Sequence, residues 1–114
     1  MKLYLVVPFA LAGMFACAHE QKLSPELLAA SAAPLRAAEE AGAEEIPSAA
    51  LYLKLAREEI AQAQSLAEKG DERATTLLGR AQADAELALA LAQESTTAAE
   101  AQKLADDVEA AKLR

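Results

Sequence analysis

Two runs of small apolar residues, spaced alternately by four and three positions, constrain the fold of this chain most strongly. The first run is Ala49, Leu53, Ala56, Ile60, Ala63 and Ala67. The second run is Ala74, Leu78, Ala81, Ala85, Ala88, Ala92, Ser95 and Ala99. This spacing places each run on one face of an α-helix. Between them stands Lys69-Gly70-Asp71, and glycine commonly follows a helix while aspartate commonly precedes one. The sequence therefore predicts an antiparallel helical hairpin.

Composition supports an all-α fold. Alanine accounts for 31 of the 114 residues, and alanine is the strongest helix former. After residue 16, the only valine is Val108 and the only isoleucines are Ile46 and Ile60, so a β-sheet has little support. The predicted fold class is an antiparallel helical hairpin or a small up-down-up three-helix bundle with a long C-terminal helix.

The predicted first helix begins at Ser24-Pro25-Glu26, where serine caps and proline occupies the first turn. Pro34 is expected to kink or split this helix, and Gly42 is expected to end it. The second helix is expected from about Pro47 to Lys69, and Asp71 is expected to cap the third. Gly79, inside the third helix, has two interpretations: close approach of another backbone, or an exposed glycine.

The third helix is predicted to continue to Lys112, which makes it roughly 60 Å long against roughly 33 Å for the second. In an up-down-up arrangement its end projects beyond the bundle, away from the Gly70 turn. This overhang carries an apolar stripe with no partner in the hairpin. We expect the stripe to be an interaction surface, for a second copy or for another protein; its residues are Ala101, Leu104, Val108 and Ala111.

The N-terminus has the features of a secretory signal: Lys2, then an uncharged apolar run, Leu3–Ala16, then a small residue. The run is shorter than the roughly 20 residues needed to span a membrane. Met14-Phe15-Ala16-Cys17 resembles the lipobox of bacterial lipoproteins, which implies cleavage after Ala16 and a diacylglyceryl group on the Cys17 thiol. Two alternatives remain open: cleavage after Ala18, which leaves a soluble periplasmic protein, and an uncleaved anchor.

The expected organisation is a signal peptide over residues 1–16, a lipidated N-terminus and tether over 17–23, and an alanine-rich helical domain over 24–114. Ala18 follows the cysteine, where aspartate signals inner-membrane retention in enteric lipoproteins. The resemblance therefore implies the outer membrane, facing the periplasm.

A further resemblance comes from the stretch 41–47, which reads Ala-Gly-Ala-Glu-Glu-Ile-Pro, and from a set of later residues. These are Leu51, Ala56, Gly70, Asp71, Ala74, Ala81, Asp84, Ala85 and Ala88. Together they resemble an alanine-rich helical domain of bacterial lipoproteins, domain-of-unknown-function family 4398, over about residues 33–95. The resemblance implies an envelope lipoprotein without assigned catalysis.

The residues argue against several classes of function. With Lys2 removed, ten basic residues stand against 18 acidic ones, a net charge of −8, which is unsuited to nucleic acid. Tyr52 is the only aromatic residue after the signal, so no cofactor and no small-molecule substrate is expected. His19 lacks the companions a metal site needs. Tyr52 is interpreted as packing. Adjacent acids such as Glu58 and Glu59 diverge on a helix and are not expected to share a site, and basic residues four positions before acidic ones, such as Arg80–Asp84, are interpreted as solvated faces.

The expected function is therefore non-catalytic: a membrane-anchored structural or adaptor element in the periplasm, bound to the membrane through lipid on Cys17. The alternative is a chaperone-like binding module that presents an apolar helical groove. An enzyme ranks third, because the sequence contains no nucleophile–base constellation, phosphate loop or metal-ligand spacing.

Overall fold

The computed structural model describes residues 23–114. These residues form α1 (Pro25–Glu40), a 3₁₀ turn (Ala43–Glu45), α2 (Pro47–Glu68) and α3 (Arg73–Lys112), with no strand among them. The long C-terminal helix α3 packs against both α1 and α2. The predicted all-α class with a long final helix is confirmed.

The two ends of the bundle show that the helices run up, down and up. At one end, Leu23 and Leu28 from the start of α1 line a groove together with Gly70. At the other end, Ala38 near the end of α1 and Ala49 near the start of α2 share a buried cluster with Ala92 of α3. The start of α1 therefore lies beside the Gly70 turn, as expected.

Helix α1 begins as predicted but does not break at Pro34. The Leu27 N–H donates to Ser24 Oγ over 3.1 Å, and Pro25 occupies the first turn. The helix continues through Pro34 to Glu40, so the expected split is wrong. Proline removes one helical hydrogen bond, but Ser31 and Ala38 are buried on either side of it, and this packing holds the two halves in one helix.

Both predicted glycine turns adopt the left-handed conformation that glycine tolerates best. Gly42 has φ 78° after α1, and Gly70 has φ 70° after α2. Helix α3 begins at Arg73, two residues after the predicted cap Asp71, whose Oδ1 still accepts the Arg73 N–H over 3.0 Å. Hydrogen bonds from Arg73 lower the pKa of Asp71 to about 2. The aspartate therefore caps the helix in function, although the first helical residue is Arg73.

The core is built almost entirely from alanine. Leu53 of α2 and Leu78 of α3 are its only large, fully buried side chains in the described part of the chain. The remaining buried apolar residues are Ala38, Ala43, Ala49, Ala56, Ala63, Ala74, Ala81, Ala85, Ala88 and Ala92. Such small side chains permit helix axes near the close end of the usual 8–10 Å separation. The core is thus dense but contains few large groups.

The buried seams differ from the predicted ones at two positions of α2 and at the C-terminal end of the α3 seam. Ile60 and Ala67 of α2 are only partly buried. On α3 the buried residues stop at Ala92, and the predicted seam residues Ser95 and Ala99 are exposed. Helix α2 spans 22 residues against 40 for α3. Within residues 23–114, no helix reaches far enough along α3 to cover its C-terminal half.

Gly79 is an exposed helical glycine rather than a site of close backbone approach. A Cβ placed on it would meet no atom within 4 Å. Because glycine costs about 1 kcal/mol relative to alanine inside a helix, we expect Gly79→Ala to raise the free energy of unfolding by about that amount in urea titrations. Gly70→Ala is the matched contrast, and its positive φ should make it destabilising by about 1–2 kcal/mol. A loss of stability in Gly79→Ala would contradict the open site.

Candidate interaction surface

The C-terminal half of α3 forms a solvent-exposed extension, here called the stalk (residues 93–112). All of its residues are exposed, and at 1.5 Å per residue it is about 30 Å long. The helix continues through Ser95-Thr96-Thr97 without fraying, and Thr96 Oγ1 donates to the carbonyl of Ala92 over 3.1 Å. The stalk is therefore a continuation of the same rigid helix that forms the bundle.

The structure brings the predicted stripe residues together on one face of the stalk. Leu104 is 65% exposed and Val108 is 48% exposed, and Ala101 and Ala111 are exposed beside them. None of the four is covered by any other residue that the structure describes. Exposed leucine and valine at helical spacing on a projecting helix are typical of a surface that binds another helix.

The stripe faces away from the rest of the bundle. Ala101 follows the buried Ala92 by nine residues, which is two and a half turns of an α-helix. The stripe therefore lies on the opposite side of α3 from the residues that contact α1 and α2. Sequence periodicity located the stripe, but its direction relative to the bundle required the buried face to be known.

The polar residues of the stalk form only local, exposed contacts. Lys112 Nζ lies 3.8 Å from Glu109 Oε2, and Gln102 donates to Asp106 over 2.9 Å. Exposed pairs of this kind contribute less than about 1 kcal/mol. These pairs keep the sides of the stalk polar and leave its apolar stripe exposed.

The opposite end of the molecule carries a groove that sequence analysis missed. It has a volume of about 470 Å³ and lies where α1 begins and α2 ends. Its lining consists of Leu23, Leu28, Gln64, Ala67, Glu68, Lys69 and Gly70. Leu23 and Leu28 belong to neither predicted seam, so helical spacing did not indicate this groove. The groove lies next to the point where the N-terminal segment enters the bundle.

Tyr52 lies beside the bundle core, and an exposed ion-pair triad that sequence analysis missed joins α1, the 3₁₀ turn and α2. Tyr52 is partly buried and packs against the core cluster, so its interpretation as a packing residue is confirmed. Arg57 of α2 binds Glu39 of α1 (Nη2–Oε1 2.6 Å) and Glu44 of the 3₁₀ turn. These two carboxylates raise the pKa of the Arg57 guanidinium. This triad ties the α1–α2 connection to the side of α2.

Sequence analysis did not predict the burial of Glu59. Its side chain is buried between α2 and α3, where Arg80 Nη2 approaches Oε1 at 3.0 Å. Its Oε2 receives no hydrogen bond from any residue that the structure describes. Burial and the neighbouring Asp84 carboxyl raise the pKa of Glu59, and Arg80 only partly opposes them. Glu59 is thus buried on α2 while the adjacent Ile60, a predicted seam residue, is only partly buried.

A raised carboxyl pKa makes the fold less stable as pH rises from the value of an unfolded glutamate through the folded value. We expect Glu59→Gln to remove this penalty and to increase the free energy of unfolding at pH 7 by about 1 kcal/mol, the size of one hydrogen bond. The gain should shrink towards zero at pH 4 in urea titrations. Glu58→Gln, on the exposed side, should change stability by under about 0.5 kcal/mol at both pH values. An equal effect of both variants would contradict the buried acid.

The other predicted site residues lie outside the described residues: Cys17, the lipidation candidate, Ala16, before the expected cleavage, and His19. Among residues 23–114, no helix is long and apolar enough to cross a bilayer. The same residues contain no group of three histidine, cysteine, aspartate or glutamate side chains positioned to hold a metal.

Taken together, the alanine core, the two glycine turns and the projecting stalk define a small all-α domain whose final helix extends beyond the other two. The chain matches the family described as Domain of unknown function (DUF4398) over residues 25–104. It belongs to this family, in agreement with the resemblance of its alanine-rich stretch. The match begins at the first residue of α1 and ends inside the stalk at Leu104. No curated protein and no solved structure matches the chain.

Proposed function

We propose that this chain is a non-catalytic lipoprotein of the bacterial envelope that acts as a structural or adaptor element in the periplasm. Lipid on Cys17 holds it at the membrane, and the stripe on the stalk binds its partner. Stable attachment requires two acyl chains or an equivalent second signal, and a diacylglyceryl group supplies two. The outer membrane is the proposed destination.

One observation carries the proposal: the start of α1 and the stalk lie at opposite ends of the molecule. Leu23 and Leu28 adjoin the Gly70 turn, whereas the stalk leaves the bundle beyond Ala92. A lipid attached a few residues before α1 would hold the Gly70 turn towards the membrane. The stalk would then extend into the periplasm with its apolar stripe accessible. This geometry suits an element that presents a binding helix at a distance from the membrane.

Mass spectrometry of the mature N-terminus tests the anchor. We expect the wild-type chain to begin at Cys17 and to carry the mass of a diacylglyceryl group and its acyl chains. Cys17→Ala should lose that mass and fail to be processed after Ala16. A mature, unmodified N-terminus at His19 would contradict the anchor and would favour the soluble periplasmic alternative.

The groove beside Gly70 favours a second candidate, a chaperone-like binding module. Its apolar lining includes Leu23 and Leu28, which could receive an extended or helical segment of a client. Cross-linking in intact cells separates the two functions. An adaptor should yield one stoichiometric adduct through the stalk, whereas a chaperone should yield many adducts through the groove.

A further inference from the structure

Helix α3 carries a second seam along its outer side, and the stripe forms only the C-terminal part of this seam. Starting at Ala83, positions alternate by four and three residues as far as Ala111. Every position in this outer seam is alanine, leucine, valine or threonine except Glu94, and every one is exposed. A heptad pattern of this kind is typical of a helix that packs against another helix.

The outer seam lies on the opposite face of α3 from α1 and α2. Ala83 precedes the buried Ala92 by nine residues, and Ala101 follows it by nine, so both lie half a turn away from the buried face. A helix that docks on this seam meets neither α1 nor α2. The side of α3 that remains open thus has both the pattern and the access that helix pairing needs.

We propose that a second copy of this chain packs its α3 parallel to the first along the C-terminal part of the outer seam, residues 97–111. This inference rests on the proposed role of the stripe as an interaction surface, and it names the partner. In the heptad frame Val108 occupies an a position and Leu104 a d position. A β-branched residue at a with leucine at d is the combination that favours parallel two-stranded coiled coils.

Charge supports the parallel orientation. In a parallel pair, Asp107 at a g position faces Lys112 at the following e position of the second copy, and this contact occurs twice. In an antiparallel pair, several alignments of the two helices place Leu104 on the outer seam of the second copy. Each of them brings Glu100 or Asp107 next to another acidic side chain. Such opposition at the flanks of a coiled coil sets orientation.

Glu94 limits the pairing to the stalk. It is the one charged position of the outer seam, and in a parallel pair it faces Glu94 of the second copy. Two facing carboxylates at a core position are unfavourable, so the two helices diverge on the N-terminal side of Glu94. The interface then spans about two heptads and is weak in solution. Parallel pairing also leaves both α1 starts at the same end, so that two lipids reach one membrane and raise the effective concentration.

Cysteine cross-linking of the full chain in membranes of expressing cells tests the pairing directly. We expect Leu104→Cys to form a disulfide-linked homodimer on mild oxidation, because equal d positions meet only in a parallel, in-register pair. Leu113→Cys is the matched control, since Leu113 lies on the far side of α3 and should give little dimer. The unaltered chain, whose only cysteine is Cys17, sets the background. Absence of the Leu104→Cys homodimer, equal dimer at Leu113→Cys, or an adduct with another protein in its place would overturn the proposal.

Sedimentation equilibrium of the purified chain in mild detergent measures the dimer dissociation constant, which one substitution should lower and another should raise. Glu94→Leu should lower the dimer dissociation constant at least about tenfold, because it converts the one charged layer to an apolar one. Leu104→Glu should raise the constant at least about tenfold, whereas Leu113→Glu should leave it within about threefold of the wild type. An unchanged constant in Glu94→Leu and Leu104→Glu would refute the interface. Mass spectrometry of the N-terminus decides the lipid anchor independently, so the two proposals fail separately.

Discussion

Replacing Leu78 with alanine is expected to lower the free energy of unfolding by 2–5 kcal/mol. Leu78 of α3 and Leu53 of α2 are the only large side chains that are fully buried among the described residues, in a core otherwise built mostly from alanine. A cavity at this position cannot be filled by neighbouring alanines, because they have no rotatable side-chain atoms. A single small core supplies about 3–5 kcal/mol of net stability, so Leu78→Ala should leave a substantial unfolded fraction at 37 °C.

Urea titration followed by circular dichroism at 222 nm measures this loss, and Leu53→Ala should behave similarly. Leu113→Ala is the control, since Leu113 is 82% exposed and its truncation should change stability by less than about 0.5 kcal/mol. A loss below about 1 kcal/mol in both core variants would mean that the two leucines do not support the bundle.

Replacing Ala85 with leucine is expected to cost about 3 kcal/mol, near the upper end of the usual penalty for overfilling a core. Ala85 is fully buried in the seam of α3. The larger side chain would force α3 away from its neighbours, because alanine on the facing helices leaves no space to take up three more carbon atoms. Thermal unfolding should show a markedly lower midpoint.

Ala99→Leu is the matched control for this substitution. Ala99 continues the same seam by sequence spacing, yet it is exposed because no described helix reaches it. We expect its change in stability to be within about 0.5 kcal/mol of zero. Comparable losses in Ala85→Leu and Ala99→Leu would contradict the position at which the bundle ends, and with it the existence of a free stalk.

Much of the bundle was predictable because it depends on local rules. Helical spacing identified the buried alanines and leucines of α2 and α3, and Gly42 and Gly70 marked the turns through their tolerance of positive φ. The Ser24 cap was equally visible from residue type and position. These features need no knowledge of a neighbouring helix.

The parts that failed depend on packing between helices. Pro34 breaks an isolated helix, but burial of Ser31 and Ala38 on either side keeps α1 continuous. Glu59 is buried and Ile60 only partly buried, because the helices packed against α2 decide how far each position is covered. No sequence period shows the extent of that cover.

The candidate surface was predicted in part. Periodicity identified Leu104 and Val108 as an apolar stripe, and the structure confirms that both are exposed on the stalk. The sequence did not show that the stripe continues as an outer seam up to Ala83. That seam becomes evident only when Ala92 and its equivalents are known to be buried on the other side of α3.

The distance of each end from the membrane shows whether the Gly70 end faces the bilayer and the stalk projects away from it. A donor dye is placed at Lys69→Cys or at Lys112→Cys in the lipidated protein, reconstituted in vesicles with an acceptor on the lipid headgroups. The two positions are about 60 Å apart along α3. We expect strong energy transfer from residue 69 and little from residue 112. Equal transfer from the two positions, or stronger transfer from residue 112, would contradict the account.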